Sequence, residues 1–123
     1  MSGKTILIVD DEEDILQLLS YRLKKAGYDV ITASDGAKAL DISKENPPDL
    51  VLADIRMPNM GGEELCAALK DDVRTKDIPV IFISASKNAD TDSAVSRSCA
   101  QDFIVKPFQA EELLAKVEKH IKG

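Results

Sequence analysis

Tryptophan is absent from the 123 residues, histidine occurs once and cysteine twice. Aromatic residues make up only 4%, so there is no platform on which bases or sugars could stack. The lone histidine, His120, and the widely separated Cys66 and Cys99 lack metal-ligand spacing, which argues against a His/Cys zinc site. Positive charge is in the minority. The 16 Lys+Arg against 22 Asp+Glu give a formal net charge of -6, the wrong sign for direct nucleic-acid binding. No apolar run approaches the roughly 18–20 residues needed to span a bilayer. Residues Met1 to Lys4 lead straight into a short apolar run without a three-part leader. The sequence therefore reads as cytoplasmic, with no membrane contact and with both thiols reduced.

What is present fits one domain over residues 1–123, with 44% hydrophobic and 31% charged residues. Five short apolar runs recur: Thr5–Val9, Asp29–Ala33, Leu50–Ala53, Ile78–Ile83 and Phe103–Val105. Most are continuously apolar and rich in Val and Ile, the pattern of strands buried on both faces. Segments of helical period lie between them. Residues 12–26 place Ile15, Leu16, Leu19, Leu23 and Ala26 in one stripe, and Gly27 is a natural stop. Residues 35–45 predict a second helix, capped by Ser34 or Asp35 and ended before Pro47-Pro48. Residues 62–73 predict a third and 109–122 a fifth; the fourth, over 88–98, has a weak apolar pattern and is expected to be the least stable. A β-α unit repeated five times implies an α/β fold, a doubly wound parallel sheet with helices on both faces.

Ligands of open parallel sheets bind outside the carboxyl ends of the strands. Asp10-Asp11 follow the first run, Asp54 the third, Ser84 the fourth and Lys106 the fifth. Singly, each has an ordinary reading: a turn or helix cap for the acids and Ser84, a surface charge for Lys106. Jointly they place three carboxylates, a hydroxyl and an ammonium at equivalent topological positions. Clustered carboxylates repel one another, and a hard divalent cation relieves that repulsion. A carboxylate can also act as nucleophile toward phosphorus, with the cation and a lysine neutralising the transferring group. The site reads as a Mg²⁺-dependent phosphoryl acceptor on aspartate, with Mn²⁺ as a possible substitute.

These residues, seen as Ile8-Val9-Asp10-Asp11, Asp54-Ile55-Arg56-Met57-Pro58 with Met60-Gly61-Gly62, Ile83-Ser84-Ala85 and Phe103-Ile104-Val105-Lys106-Pro107-Phe108, resemble the receiver domain of two-component response regulators over essentially the whole chain. The resemblance implies a flavodoxin-like five-stranded sheet in the order 2-1-3-4-5. It implies transfer of a phosphoryl group from a sensor histidine kinase or a phosphotransfer protein onto Asp54. Asp11, Asp54 and the backbone carbonyl of Arg56 would bind Mg²⁺, with Asp10 holding a metal-bound water or ligating directly. Lys106 would pair with the phosphoryl group and Ser84 would be the switch hydroxyl. Phe103 takes the switch-aromatic position, with plain core packing as its alternative. Pro107 would follow a cis peptide bond. Ile15 and Leu18 form either a kinase-docking patch or ordinary core.

Gly61 and Cys99 depart from the family pattern, the first where Asp or Asn is common and the second where a glycine usually ends the fourth helix. A more mobile loop after Asp54 and an altered helix end are the expected consequences. Cys66 is expected to pack on the third helix, and His120 to complement its helix dipole. The chain would catalyse its own phosphorylation and dephosphorylation without being a turnover enzyme. It would be a monomer or a phosphorylation-dependent dimer with an output partner that the sequence does not name, either standing alone or forming part of a longer protein. A phosphatase of the haloacid dehalogenase type would need an Asp where Arg56 stands. A flavin carrier would need a phosphate loop where Asp11-Glu12-Glu13-Asp14 would repel phosphate. The intact acids and Lys106 oppose a receiver reduced to an interaction module.

Overall fold

A computed structural model describes residues 3–57, 60–84 and 99–121. Five strands, β1 (Thr5–Val9), β2 (Asp29–Ala33), β3 (Leu50–Asp54), β4 (Val80–Ser84) and β5 (Asp102–Val105), form one sheet in the order β2-β1-β3-β4-β5. All four pairings are parallel, as the alternation of elements requires. Four helices stand among the described residues: α1 (Glu13–Lys25), α2 (Gly36–Glu45), α3 (Gly62–Lys70) and α4 (Ala110–His120), the last being the helix expected over 109–122. The helix expected over 88–98 lies outside the described residues.

Alternation along the strands builds two cores. Ile6, Ile8, Leu50, Leu52, Ile81 and Ile83 face Leu16, Leu19 and Leu23 of α1 and Leu113 and Val117 of α4. The alternate residues Leu7, Val9, Val51, Ala53, Val80 and Phe82 face Ala39 of α2 and Leu65, Cys66 and Leu69 of α3. The outer strand β2 departs from two-faced burial: Asp29 and Thr32 are exposed, because an edge strand has a neighbour on one side only.

The local signals act as their chemistry dictates. Asp35 caps α2, its carboxylate accepting from Lys38 N at 2.9 Å. Gly27, at φ 103°, ends α1 in a paired motif: Gly27 N donates to Lys24 O and Tyr28 N to Leu23 O. The third helix stops at Lys70, short of the expected 73. There Thr75 Oγ1 donates to Leu69 O at 2.6 Å and Asp72 accepts from Arg74 N at 2.8 Å, closing turns that compete with another helical turn. The fourth strand begins at Val80 rather than Ile78, since Ile78 N is bonded back to Thr75 O.

One expectation is overturned. Cys66 and Cys99 are not reduced thiols but form a disulfide, with Cα atoms 6.3 Å apart across 33 residues of sequence. Both belong to the core on the α2–α3 side of the sheet, and that shared burial brings them together.

Candidate functional site

The carboxyl ends of β1, β3, β4 and β5 meet at one rim because the strands are parallel and in register, with Val9 beside Ala53, Asp54 beside Ile83 and Ser84 beside Val105. Asp10 continues β1 and is anchored by its own N–H, which donates to Ala33 O at 3.2 Å. Its Oδ1 accepts from Glu12 N at 2.9 Å, turning the chain into α1. Asp54 ends β3, and its Oδ1 accepts from Arg56 N at 3.0 Å. Lys106 follows β5; its N–H donates to Ser84 O at 2.8 Å, which ties the lysine to the end of β4. Its Nζ lies 3.3 Å from Asp54 Oδ2 and 3.9 Å from Asp10 Oδ2.

The structure thus brings together Asp10, Asp11, Asp54 and Lys106, with the buried Ser84 on the adjoining strand end. Oxygens of the three carboxylates all lie within 4.8 Å of one another. The Lys106 ammonium pairs with two of these three acids, Asp54 and Asp10. Asp10 bears the cost: burial first, then the charge of Asp54, push its carboxyl up to about 6, against the opposing pull of the Glu12 N–H and Lys106. Its Oδ2 is buried with no hydrogen-bond partner. An orphaned carboxylate oxygen amid two further acids is a donor set suited to a hard divalent cation that takes oxygen ligands.

Gly61 and Gly62 are held close to the Asp54–Ile55 backbone. Gly62 N donates to Ile55 O at 2.9 Å, and a Cβ at Gly62 would fall 2.6 Å from Asp54 O. A Cβ at Gly61 would meet Ile55 O at 2.8 Å, so an acidic residue at that position would require the backbone to shift. This close approach is the physical role of the two glycines, whereas the sequence suggested only mobility at Gly61. Lys106–Pro107 is cis, as the resemblance implied.

The remaining candidates distribute around the rim. The half-buried Phe103 ring packs on Phe82, with centroids 5.9 Å apart, against the α2–α3 core. Leu18 is 46% exposed, so it is not core. With Ile15, Lys106, Pro107 and Phe108 it lines an apolar hollow of about 470 Å³ beside the acids. His120 reaches beyond its helix: Nε2 is 2.9 Å from Asp102 Oδ2, and Lys116 contacts the same carboxylate at 3.3 Å. Sequence reasoning missed this cluster and the Cys66–Cys99 bond; neither pairing has a local spacing signal.

Comparison with known proteins agrees with this geometry. The family model described as "Response regulator receiver domain" matches residues 6–118. The Bacillus subtilis alkaline phosphatase synthesis transcriptional regulatory protein PhoP is 40% identical over 117 residues, covering 94% of this chain and 48% of that protein. The chain thus spans about half the length of this curated relative. The chemotaxis protein CheY4 of Vibrio cholerae superposes with a TM-score of 0.90 at 30% identity, over 98% of this chain and all of that one. The response regulator TrrA of Thermotoga maritima, solved in complex with Mg²⁺-BeF, superposes with a TM-score of 0.86 at 36% identity, over 96% of this chain and 99% of the other. By its strand order, its acidic rim and this match over nearly all its length, the chain belongs to the response regulator receiver domain family of two-component signalling.

Proposed function

We propose that residues 1–123 act as one receiver domain that accepts a phosphoryl group on Asp54. The observation that carries this reading is the placement of Asp54, beside the Lys106 ammonium and within a cluster of three carboxylates. Asp10, Asp11, Asp54 and the backbone carbonyl of Arg56 would hold Mg²⁺, or Mn²⁺ in its place; TrrA, solved with Mg²⁺-BeF, supports that choice. When bound, the cation supplies neutralisation of the acids and of the incoming phosphoryl charge.

The rest is work for the chain's own side chains. A carboxylate oxygen of Asp54 attacks phosphorus, an O–P bond forms, and the bond to the donor breaks. For a phosphohistidine donor that bond is P–N, and the departing imidazole keeps the electron pair. Lys106, already 3.3 Å from Asp54 Oδ2, exchanges that carboxylate for phosphoryl oxygens. Ser84 donates its hydroxyl to the phosphoryl group, a contact that exists only after transfer and therefore biases the equilibrium between two conformations. Phe103 responds as the aromatic of that switch. Hydrolysis of the acyl phosphate returns the site to its start, so the chain catalyses its own cycle and is not a turnover enzyme.

The donor is a sensor histidine kinase or a phosphotransfer protein, received at the apolar hollow of Ile15, Leu18, Pro107 and Phe108, which borders Lys106. A cytoplasmic location follows from that partnership. Among the described residues no helix is long and apolar enough to cross a membrane. The output is a protein contact, through a monomer or a phosphorylation-dependent dimer, and no nucleic acid is bound directly by this negatively charged domain. Treatment with acetyl phosphate should add one phosphoryl mass only when Mg²⁺ or Mn²⁺ is present. Asp54→Asn should abolish that gain, and full labelling of the variant at another residue would reject the assignment.

A further inference from the structure

The Cys66–Cys99 bond closes a circuit through the acidic site. From Asp54 one arm runs through Ile55 O to Gly62 N at 2.9 Å, and so into α3, which carries Cys66. The other arm runs from Asp54 Oδ2 to Lys106 Nζ at 3.3 Å and back along β5, whose first residue stands three positions after Cys99. Between Cys99 and β5, Gln101 is fixed to β4 from both sides: its N–H donates to Val80 O and its Oε1 accepts from Val80 N, each at 2.8 Å. The sulfurs lie in the same core as the Phe82–Phe103 pair. A displacement of β5 or Lys106 toward a group on Asp54 is therefore resisted by the crosslink when it is present, and not when it is absent.

We propose that Cys66 and Cys99 form a reversible thiol–disulfide pair that gives this receiver a redox input, its oxidised form opposing the phosphoryl-induced change at β5. The inference rests on the acceptor reading above. In a reducing compartment a disulfide, where one forms, is usually transient and catalytic or redox-sensing, and the cytoplasmic assignment puts the pair in such a compartment. The oxidant is a low-molecular-weight disulfide such as oxidised glutathione. Cys99 is the less deeply buried of the two and meets it first. Its thiolate attacks one glutathione sulfur, forming a mixed disulfide and releasing one glutathione thiolate. The Cys66 thiolate then displaces the second, so two protein thiols are oxidised, one glutathione disulfide is reduced to two thiols, and the two cysteine protons pass to solvent or to the released thiolates.

The test uses the whole chain equilibrated in reduced or in oxidised glutathione. Thiols are counted by alkylation and mass spectrometry, and beryllofluoride with Mg²⁺ is titrated calorimetrically into each form. The expected count is two free thiols in the first buffer and none in the second, with no lasting glutathione adduct. The reduced form should bind the mimic about fivefold or more tightly than the oxidised form, the lower end of ordinary allosteric coupling. A Cys66→Ser/Cys99→Ser variant should match the reduced form in both buffers; the parent protein alone decides the question if that variant does not fold. Two free thiols in oxidised glutathione, or equal affinity in the two forms, would overturn the proposal, the second result leaving a plain structural staple. Failure of the mimic to bind either form would overturn the acceptor reading and the coupling together, and the separate thiol count distinguishes that outcome.

Discussion

The two faces of the sheet are built differently. On the α1–α4 side the fully buried residues are Leu, Ile and Val throughout, from Leu19 and Leu23 to Leu113 and Val117. On the α2–α3 side Leu7, Val9, Val51, Leu65, Leu69 and Val80 share the core with alanines, a disulfide and a tilted pair of phenyl rings. On the first face, branched aliphatic side chains from two helices and four strands pack together, as in the close-packed interiors of folded proteins. The other face adds to its aliphatic core a covalent link and an aromatic ring, Phe103, that is only half-buried. The buried core of one face is thus purely aliphatic, whereas the other adds a covalent link and an aromatic pair to its aliphatic core.

The largest effects should separate the faces by their dependence on reductant. Leu19→Ala, a truncation in the aliphatic core, should cost about 2–5 kcal/mol by urea denaturation, and equally with or without reductant. Reducing the Cys66–Cys99 bond should cost about 3–4 kcal/mol, the chain-entropy value for a loop of that length. Because the two sites lie on opposite faces, the costs should add to within about 0.5 kcal/mol. Clear non-additivity would show that the faces are coupled through the sheet and would break the comparison.

A smaller effect belongs to the rim that both faces share. Asp10, raised to about 6, holds its proton more tightly folded than unfolded. Its contribution to stability is complete below the ordinary carboxylate value and is lost as pH rises through about 6. With chelator present, acidification from about pH 7.5 to about pH 5 should therefore stabilise the fold by roughly 1–1.5 kcal/mol. Asp10→Asn should abolish the slope. Asp102 and Asp72 act in the opposite sense, since both carboxyls are held below their usual range. For Asp102 burial alone would raise it, and the bonds from His120, Phe103 N and Lys116 outweigh that; for Asp72 the Arg74 side chain is the main cause. Their stabilisation is present at neutral pH and lost only as pH falls through their lowered values, below the Asp10 window. Mg²⁺ should reverse the Asp10 slope, because the cation favours ionised acids. Thermal melts with chelator and with Mg²⁺, across that range, read both signs.

Smallest for stability is Leu18→Ala, on the outer side of α1. At an exposed position the change should stay within about 0.5 kcal/mol. The same variant should slow phosphoryl transfer from a protein donor while leaving labelling by acetyl phosphate intact. Equal slowing with both donors would place Leu18 in the chemistry of the site rather than in docking.

Much of the site was legible because strand ends are. Asp10, Asp54, Ser84 and Lys106 each follow an apolar run, and parallel strands bring such positions to one rim whatever else the fold does. Gly27 and Asp35 were legible because a cap acts on its own neighbours. The end of α3 was not, since Thr75 closes it from six residues away through Leu69 O, a bond that no helical period encodes. Gly61 suggested a loose loop after Asp54. Only the backbone of Asp54 and Ile55, folded against Gly61 and Gly62, makes both glycines a matter of space.

The sequence by itself determined the elements, their alternation and the chemistry offered at the rim, because these depend on period, local caps and residue type. Tertiary structure alone decided which buried groups meet. It left Asp10 Oδ2 without a hydrogen-bond partner, placed His120 on Asp102 and joined Cys66 to Cys99. Each of these depends on how two distant elements pack on one face of a sheet. A single chain encodes such packing only through the sum of all its contacts, and no local pattern of residues records it.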